Sequence, residues 1–187
     1  GDRPARVIEV DAAALQEHRA VPAGAGRSTA LVSCGVPFGQ HVVIADPVTR
    51  DRCIDGDVGE VCIHGPNVGT GYWGDAEASA ATFGAALGRA GFEPAAGWLR
   101  TGDLGVIVDG ELYITGRMKD TIIIDGRNIY PNDVEASAEE AHEDIAAHRL
   151  AAFAVSDGDG EGLVVVAERH RDADGAGSRV DEIAAAV

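Results

Sequence analysis

Basic residues are scarce in this 187-residue chain, where fifteen Lys and Arg stand against thirty-one Asp and Glu for a formal charge of -16. A surface of that sign repels phosphate backbones and anionic lipid alike, which sets nucleic acid and membranes aside as partners. Long apolar runs are also missing: no stretch approaches membrane-spanning length, and no basic start leads into an apolar segment. Cysteine is limited to Cys34, Cys53 and Cys62, none in a CxxC or other close metal-ligand spacing. They read as small buried or half-buried thiols, not as a metal or redox site, and the setting they suit is soluble, reducing and cytoplasmic. None of the six His residues, His18, His41, His64, His142, His148 and His170, has a partner at metal or triad spacing, so all six read as structural or surface groups and no metal site is expected. An initiator Met is absent from Gly1-Asp2-Arg3-Pro4, which fits a piece of a longer protein and equally a processed or trimmed chain.

What is present is ordinary globular material, 45% hydrophobic and 25% charged, enough for one domain or for a lobe plus a small second domain. Arg6 to Val10 alternates like a strand, an Ala/Leu/Glu/His piece follows with helical propensity, and Val21 to Ser28 is a Gly/Ala/Pro loop. Short apolar strands then recur at Leu31-Val32, His41 to Ile44 and Val58 to Ile63, with turn formers at Asp46-Pro47 and Asp55-Gly56-Asp57. That spacing predicts a small antiparallel barrel or sandwich.

An Ala-rich helix is expected from Asp75 to Leu87 with Asp75 as N-cap, and Asp109-Gly110 predicts a hairpin joining Val106–Val108 to Glu111–Ile114. Beyond it come a β-branched run at Thr121 to Ile124, a turn at Asp125-Gly126 and a helix at Pro131 to Ala141. Strands near Leu150–Val155 and Leu163–Glu168 flank a turn at Ser156 to Gly160; a solvated acidic loop at Arg171 to Gly177 and a helix from about Ser178 follow. The fold class is mixed α+β: a β-barrel-like lobe over residues 1 to 118, joined by a hinge to part of a small α+β domain over residues 119 to 187.

Chemistry concentrates in Gly97-Trp98-Leu99-Arg100-Thr101-Gly102-Asp103-Leu104-Gly105. A carboxylate between two glycines can accept two hydrogen bonds from vicinal hydroxyls such as those of a ribose, because the backbone can turn sharply and a ligand can come close. Taken alone, the segment equally suits a carboxylate that caps the turn into a strand. Fourteen residues on lies Gly116-Arg117-Met118-Lys119-Asp120, where Arg117 brings a permanent charge and a planar donor fork suited to phosphate or ribose oxygens. The conjunction of the two stretches favours the ribose reading.

Arg100-Thr101-Gly102-Asp103, Gly116-Arg117 and the run to Glu135 resemble the adenylate-forming superfamily of acyl-CoA synthetases, peptide-synthetase adenylation domains and luciferases. Gly59-Glu60-Val61-Cys62-Ile63-His64-Gly65-Pro66-Asn67 with Gly71-Tyr72-Trp73 is similar to that family's strand leading to the catalytic cleft, and the likeness extends from about Val7 to Val166. In detail the chain resembles the C-terminal portion of fatty acyl-AMP ligases, through Leu31-Val32-Ser33-Cys34-Gly35, Thr82-Phe83-Gly84-Ala85 and Gly126-Arg127-Asn128 with Tyr130-Pro131. Residues 7 to 28 lie where those ligases carry an insertion; Ile129, where a His is often found, departs from the pattern.

The resemblance implies a two-step reaction. A fatty acid attacks the α-phosphate of ATP, with Mg2+ shielding the phosphates, to give acyl-AMP and pyrophosphate; the thiol of an acyl carrier protein of a polyketide or peptide synthase then displaces AMP. It implies that Asp103 holds the ribose hydroxyls, that Arg117 contacts ribose or phosphate, and that Lys119 is the hinge of the small domain. Tyr72 and Trp73 either border the nucleotide or acyl site or, as aromatics after a glycine more often do, serve packing. No Gly/Ser/Thr-rich phosphate loop occurs in the chain, and the family's adenylation Lys falls beyond it, so the chain by itself is expected to be inactive without the rest of its adenylation domain. The rival readings are an acyl-CoA synthetase or amino-acid adenylation domain, and a non-catalytic nucleotide-binding or interaction module.

Overall fold

The structure, a computed structural model, describes residues 4–88, 96–124, 127–141, 145–156 and 161–169. The turns expected at Asp125-Gly126 and after Ser156, the acidic loop, the closing helix, His142 and His170 lie outside the described residues. The chain divides into two compact units, Gly1–Lys119 and Asp120–Val187.

In the first unit, β1 (Val7–Asp11), β2 (Ser28–Gly35), β3 (His41–Ala45), β4 (Gly59–His64), β5 (Leu99–Val108) and β6 (Glu111–Arg117) form one sheet in the order β1-β2-β6-β5-β4-β3. Every pairing is antiparallel. The barrel expected from strand spacing is not formed: the sheet is open, with β1 and β3 at its edges. Closure would need a partner along the outer side of β1, and that side is taken by the return of its own chain. Asp11 N donates to Val21 O at 2.8 Å and Ala23 N to Glu9 O at 2.9 Å. Pro22 lies between them and has no N–H to continue a ladder.

Two short helices decorate this sheet. Helix α1 (Ala12–Gln16) is capped by the Asp11 carboxylate, which accepts from Ala14 N, and buries Leu15. Helix α2 (Ala76–Phe83) is capped as expected by Asp75, which accepts from Ala78 N at 2.8 Å. It ends four residues earlier than the composition suggests, because Ala85 pairs with Trp98 through two backbone hydrogen bonds of 3.1 Å. Ala85 and Leu87 thereby join Ala45, Cys62 and Trp98 in a buried cluster, and burial outbids the helical preference of alanine.

The sheet carries two bulges that matter below. On β2, Ser33 and Gly35 face Tyr113 and Leu112, so Cys34 is an extra residue pushed outward. On β5, Glu60 and Cys62 of β4 face Leu104 and Arg100, so Thr101, Gly102 and Asp103 together oppose the single residue Val61. A backbone with extra residues on one side bends and loses ladder partners there.

The second unit contains the hairpin β7 (Ile122–Ile124) and β8 (Arg127–Ile129), helix α3 (Pro131–Ala141), and the long pair β9 (Ile145–Ser156) and β10 (Glu161–Arg169). α3 starts at Pro131 as expected and buries Val134 and Ala138 against β9. No helix among the described residues is long and apolar enough to cross a membrane.

Candidate functional site

The bulge of β5 is where the sequence-predicted site residues meet. Gly102 adopts φ +72, a left-handed conformation that suits glycine, and this turns Asp103 out of the regular pleat. At the other end of the bulge, Gly105 is pinned: a Cβ there would lie 2.7 Å from Tyr113 O and 2.9 Å from a Val61 methyl, so β5 and its neighbours approach too closely for any side chain.

Ladder hydrogen bonds missing across the bulge are supplied by side chains. Thr101 Oγ1 donates to Val61 O at 2.7 Å and accepts from Asp103 N at 3.1 Å. Glu60 Oε1 accepts from Gly102 N at 3.2 Å. The other oxygen of Glu60 accepts from Arg100, at 2.8 Å from Nε and 2.7 Å from Nη2. Met118 N closes the set by donating to Gly102 O at 2.9 Å. Only 3% of Glu60 is exposed, so its charge is carried by Arg100 and not by water.

Asp103 and Arg117 are direct cross-strand partners, and Arg117 Nε donates to Asp103 Oδ1 at 3.0 Å. Both side chains reach solvent, Arg117 by 59% and Asp103 by 33%. They line an open cleft of about 530 Å³ together with Tyr72, Thr82, Arg100 and Lys119, and Glu60 borders its floor. Tyr72 is held by an edge-on contact with Phe83, ring centroids 5.1 Å apart, and presents half its surface. Trp73 is fully exposed and is not among the lining residues, so of the two adjacent aromatics only Tyr72 is brought to the cleft. Lys119 is exposed and ends the first unit.

Among the described residues no group of three His, Cys, Asp or Glu is arranged to hold a metal ion. His64 serves the core: its Nδ1 lies 2.9 Å from Gly97 O and its ring packs on Trp98 at 5.6 Å. Cys62 is buried and Cys53 half-buried, and burial pushes the Cys62 thiol up to about 12 and the Cys53 thiol up to about 11, which leaves both inert near neutrality. Cys34, expected to be at least half-buried, is exposed because it is the extra residue of the β2 bulge. In the second unit a groove of about 360 Å³ is lined by Asn132, Glu135, Glu139 and His148. Two of its carboxylates are already committed to backbone, Glu135 to Ala152 N and Glu139 to His148 N.

The sequence singles out Asp103 and Arg117, which the fold places side by side, but not Glu60, which bonds to the same bulge. The available signal was a charged residue inside Val58–Cys62, a strand run otherwise apolar or glycine and buried at every position.

No protein-family model matches the chain. It is 42% identical over 173 residues to 4-hydroxyphenylalkanoate adenylyltransferase of Mycobacterium marinum, covering 89% of this chain and 26% of that protein. It is 41% identical over 172 residues to the medium-chain-fatty-acid–[acyl-carrier-protein] ligase JamA of Moorena producens, covering 89% of this chain and 28% of that protein. A solved structure from work on fatty acyl-adenylate ligases of E. coli and L. pneumophila superposes with a TM-score of 0.72 at 34% identity, over 90% of this chain and 28% of that one. The chain thus spans about a quarter of the length of the curated relatives it matches.

Proposed function

We propose, since the chain belongs to the adenylate-forming superfamily, that it is the ribose-gripping part of a fatty acyl-AMP ligase. The observation that carries this reading is the Asp103–Arg117 pair, held on a bulge at the lip of an open cleft. A carboxylate so placed accepts from a cis-diol, and a guanidinium beside it meets ribose or phosphate oxygens. The ligand competes for contacts the two residues make with each other, and an exposed pair worth about 0–1 kcal/mol is a small obstacle to that exchange.

In the complete enzyme the fatty carboxylate attacks the α-phosphate of ATP; the bond to pyrophosphate breaks, and acyl-AMP forms. A carrier-protein thiol then attacks the acyl carbon, AMP leaves, and a thioester remains. Such transfers depend mainly on positioning and on charge stabilisation where charge develops. This chain supplies the grip on the nucleoside. Magnesium would come with the nucleotide and shield its phosphates; among the described residues no group of three His, Cys, Asp or Glu is arranged to hold it. Lys119, exposed between β6 and the first residue of the second unit, is the position about which the smaller unit turns between the two half-reactions.

The test is ATP-dependent loading of a carrier protein by the polypeptide that bears this chain. A fatty acid such as dodecanoate and a 4-hydroxyphenylalkanoate are offered in parallel, each with holo-carrier protein or with coenzyme A. Acylated carrier protein from dodecanoate is expected. Thioester formed on coenzyme A instead would move the chain to the acyl-CoA synthetases, and adenylate formed only from the aromatic acid would change the substrate class. The 187-residue chain alone is expected to show no ATP–pyrophosphate exchange.

A further inference from the structure

We infer that Glu60 is a positioning residue for the nucleoside carboxylate: it sets where Asp103 points although it lies on a different strand and behind it. The inference rests on the proposed role of Asp103.

The ion pair with Arg117 is too exposed to fix Asp103 by itself, because solvent-facing pairs are weak and screened by water. The constraint must come from the backbone that carries the carboxylate. That backbone is the bulge, in which three residues oppose Val61 and the amides of Gly102 and Asp103 have no ladder acceptor on β4. Asp103 N is met by the neighbouring hydroxyl of Thr101, whose own hydroxyl donates back to Val61 O. Gly102 N is met by the carboxylate of Glu60.

Glu60 can serve this amide because its other oxygen is clamped by Arg100 through two nitrogens. The planar guanidinium fixes the rotamer of Glu60, and Oε1 is left aimed at Gly102. A relay therefore runs from Arg100 to Glu60, to the Gly102 amide, to the direction of Asp103. An apolar residue at position 60 would seal the core as well but would leave the amide unpaired and the bulge free to flip. The buried charge is retained for the shape of the bulge more than for stability, since a buried ion pair is a weak source of stability.

Two variants of the isotope-labelled polypeptide that bears this chain test this. Glu60→Gln removes the charge but keeps an oxygen for Gly102; Glu60→Met with Arg100→Met removes both ion partners together and avoids stranding a buried guanidinium. Hydrogen exchange is read at Gly102 and Asp103 and, as a reference, at Val106 and Ile44. The double variant is expected to exchange at least about tenfold faster at Gly102 and Asp103 with the reference amides unchanged, and Glu60→Gln to fall between. Uniform acceleration at all four amides, or none at Gly102 and Asp103, overturns the inference.

The second readout is binding of AMP against 2′,3′-dideoxy-AMP, followed through the same amide signals. Wild type is expected to prefer AMP, and Glu60→Gln to lose about tenfold of that preference, about 1.4 kcal/mol. A stability defect alone would weaken both ligands equally. A wild type that prefers AMP and a Glu60→Gln variant that prefers it equally would overturn the positioning role. A wild type that treats both ligands alike counts against the ribose reading of Asp103, and the exchange data then decide the role of Glu60.

Discussion

Two bulges of the first unit, those on β2 and on β5 against β4, are built from the same parts and differ in what is brought to them. In each, a hydroxyl accepts the amide two residues on: Ser33 from Gly35 at 2.9 Å, Thr101 from Asp103 at 3.1 Å. Each contains a glycine at positive φ, Gly35 at 88 and Gly102 at 72. At the β2 bulge the nearby carboxylate, Glu111, is half-buried and receives the hydroxyls of Ser33 and Tyr113. At the β5 bulge the carboxylate is buried, bound to a guanidinium, and used as an acceptor for the backbone itself. One bulge exports a thiol, Cys34; the other exports a carboxylate opposite a cation. A backbone irregularity alone does not make a site. It becomes one when fixed charges behind it decide which way the exported group faces.

The comparison breaks most readily at the carboxylates. Glu60→Ala leaves Arg100 without its counter-charge and Gly102 N without an acceptor, and we expect a loss of about 3 kcal/mol of unfolding free energy in urea titrations. Glu111→Ala at the other bulge should cost about 1 kcal/mol, since no ion partner is stranded and the half-buried Ser33 hydroxyl can turn to water. Equal losses would mean the two bulges are energetically alike.

Thiols extend the comparison into pH. The folded values of Cys62 and Cys53 lie above the ordinary 9.0, chiefly through burial, so the folded chain holds these protons more tightly than the unfolded chain does. The stability this contributes is complete below about pH 9 and is lost as pH rises toward about 12. The melting temperature should fall across that window, with a shallower slope in Cys62→Ala. At neutral pH a maleimide should label Cys34 in the β2 bulge first and reach the other two only on unfolding.

The smallest expected effect on stability is at the exported carboxylate itself. Asp103→Asn breaks only an exposed pair, so unfolding should change by no more than about 0.5 kcal/mol while discrimination between AMP and its dideoxy analogue disappears. A large stability loss instead would make Asp103 a structural group like Glu60.

What could be read in the sequence follows from how local each feature is. The Asp109-Gly110 hairpin, the Asp75 cap and the Pro131 start of α3 depend on a few adjacent residues, and all three are found. Asp103 and Arg117 were legible as a charged pair of stretches because β5 and β6 are neighbours in sequence and their register brings the two together. Glu60 was not, because its partners are forty residues away and its role exists only once β4 and β5 are paired out of step. The missing barrel has the same cause: strand spacing shows how many strands there are, while closure depends on whether Pro22 and its neighbours leave the edge of β1 available.

That occupied edge has a consequence for the chain in bulk. An open sheet invites other chains to add strands at its margins, and such addition is how soluble β proteins begin to aggregate. Here Val21 and Ala23 take up Asp11 and Glu9 on one margin, and on the other Cys53 N donates to Ile44 O at 3.0 Å while Asp46 N donates to Asp51 O at 2.8 Å. Both borders are partly hemmed by the protein's own loops. A sheet that never closes on itself is thereby kept from growing into its neighbours.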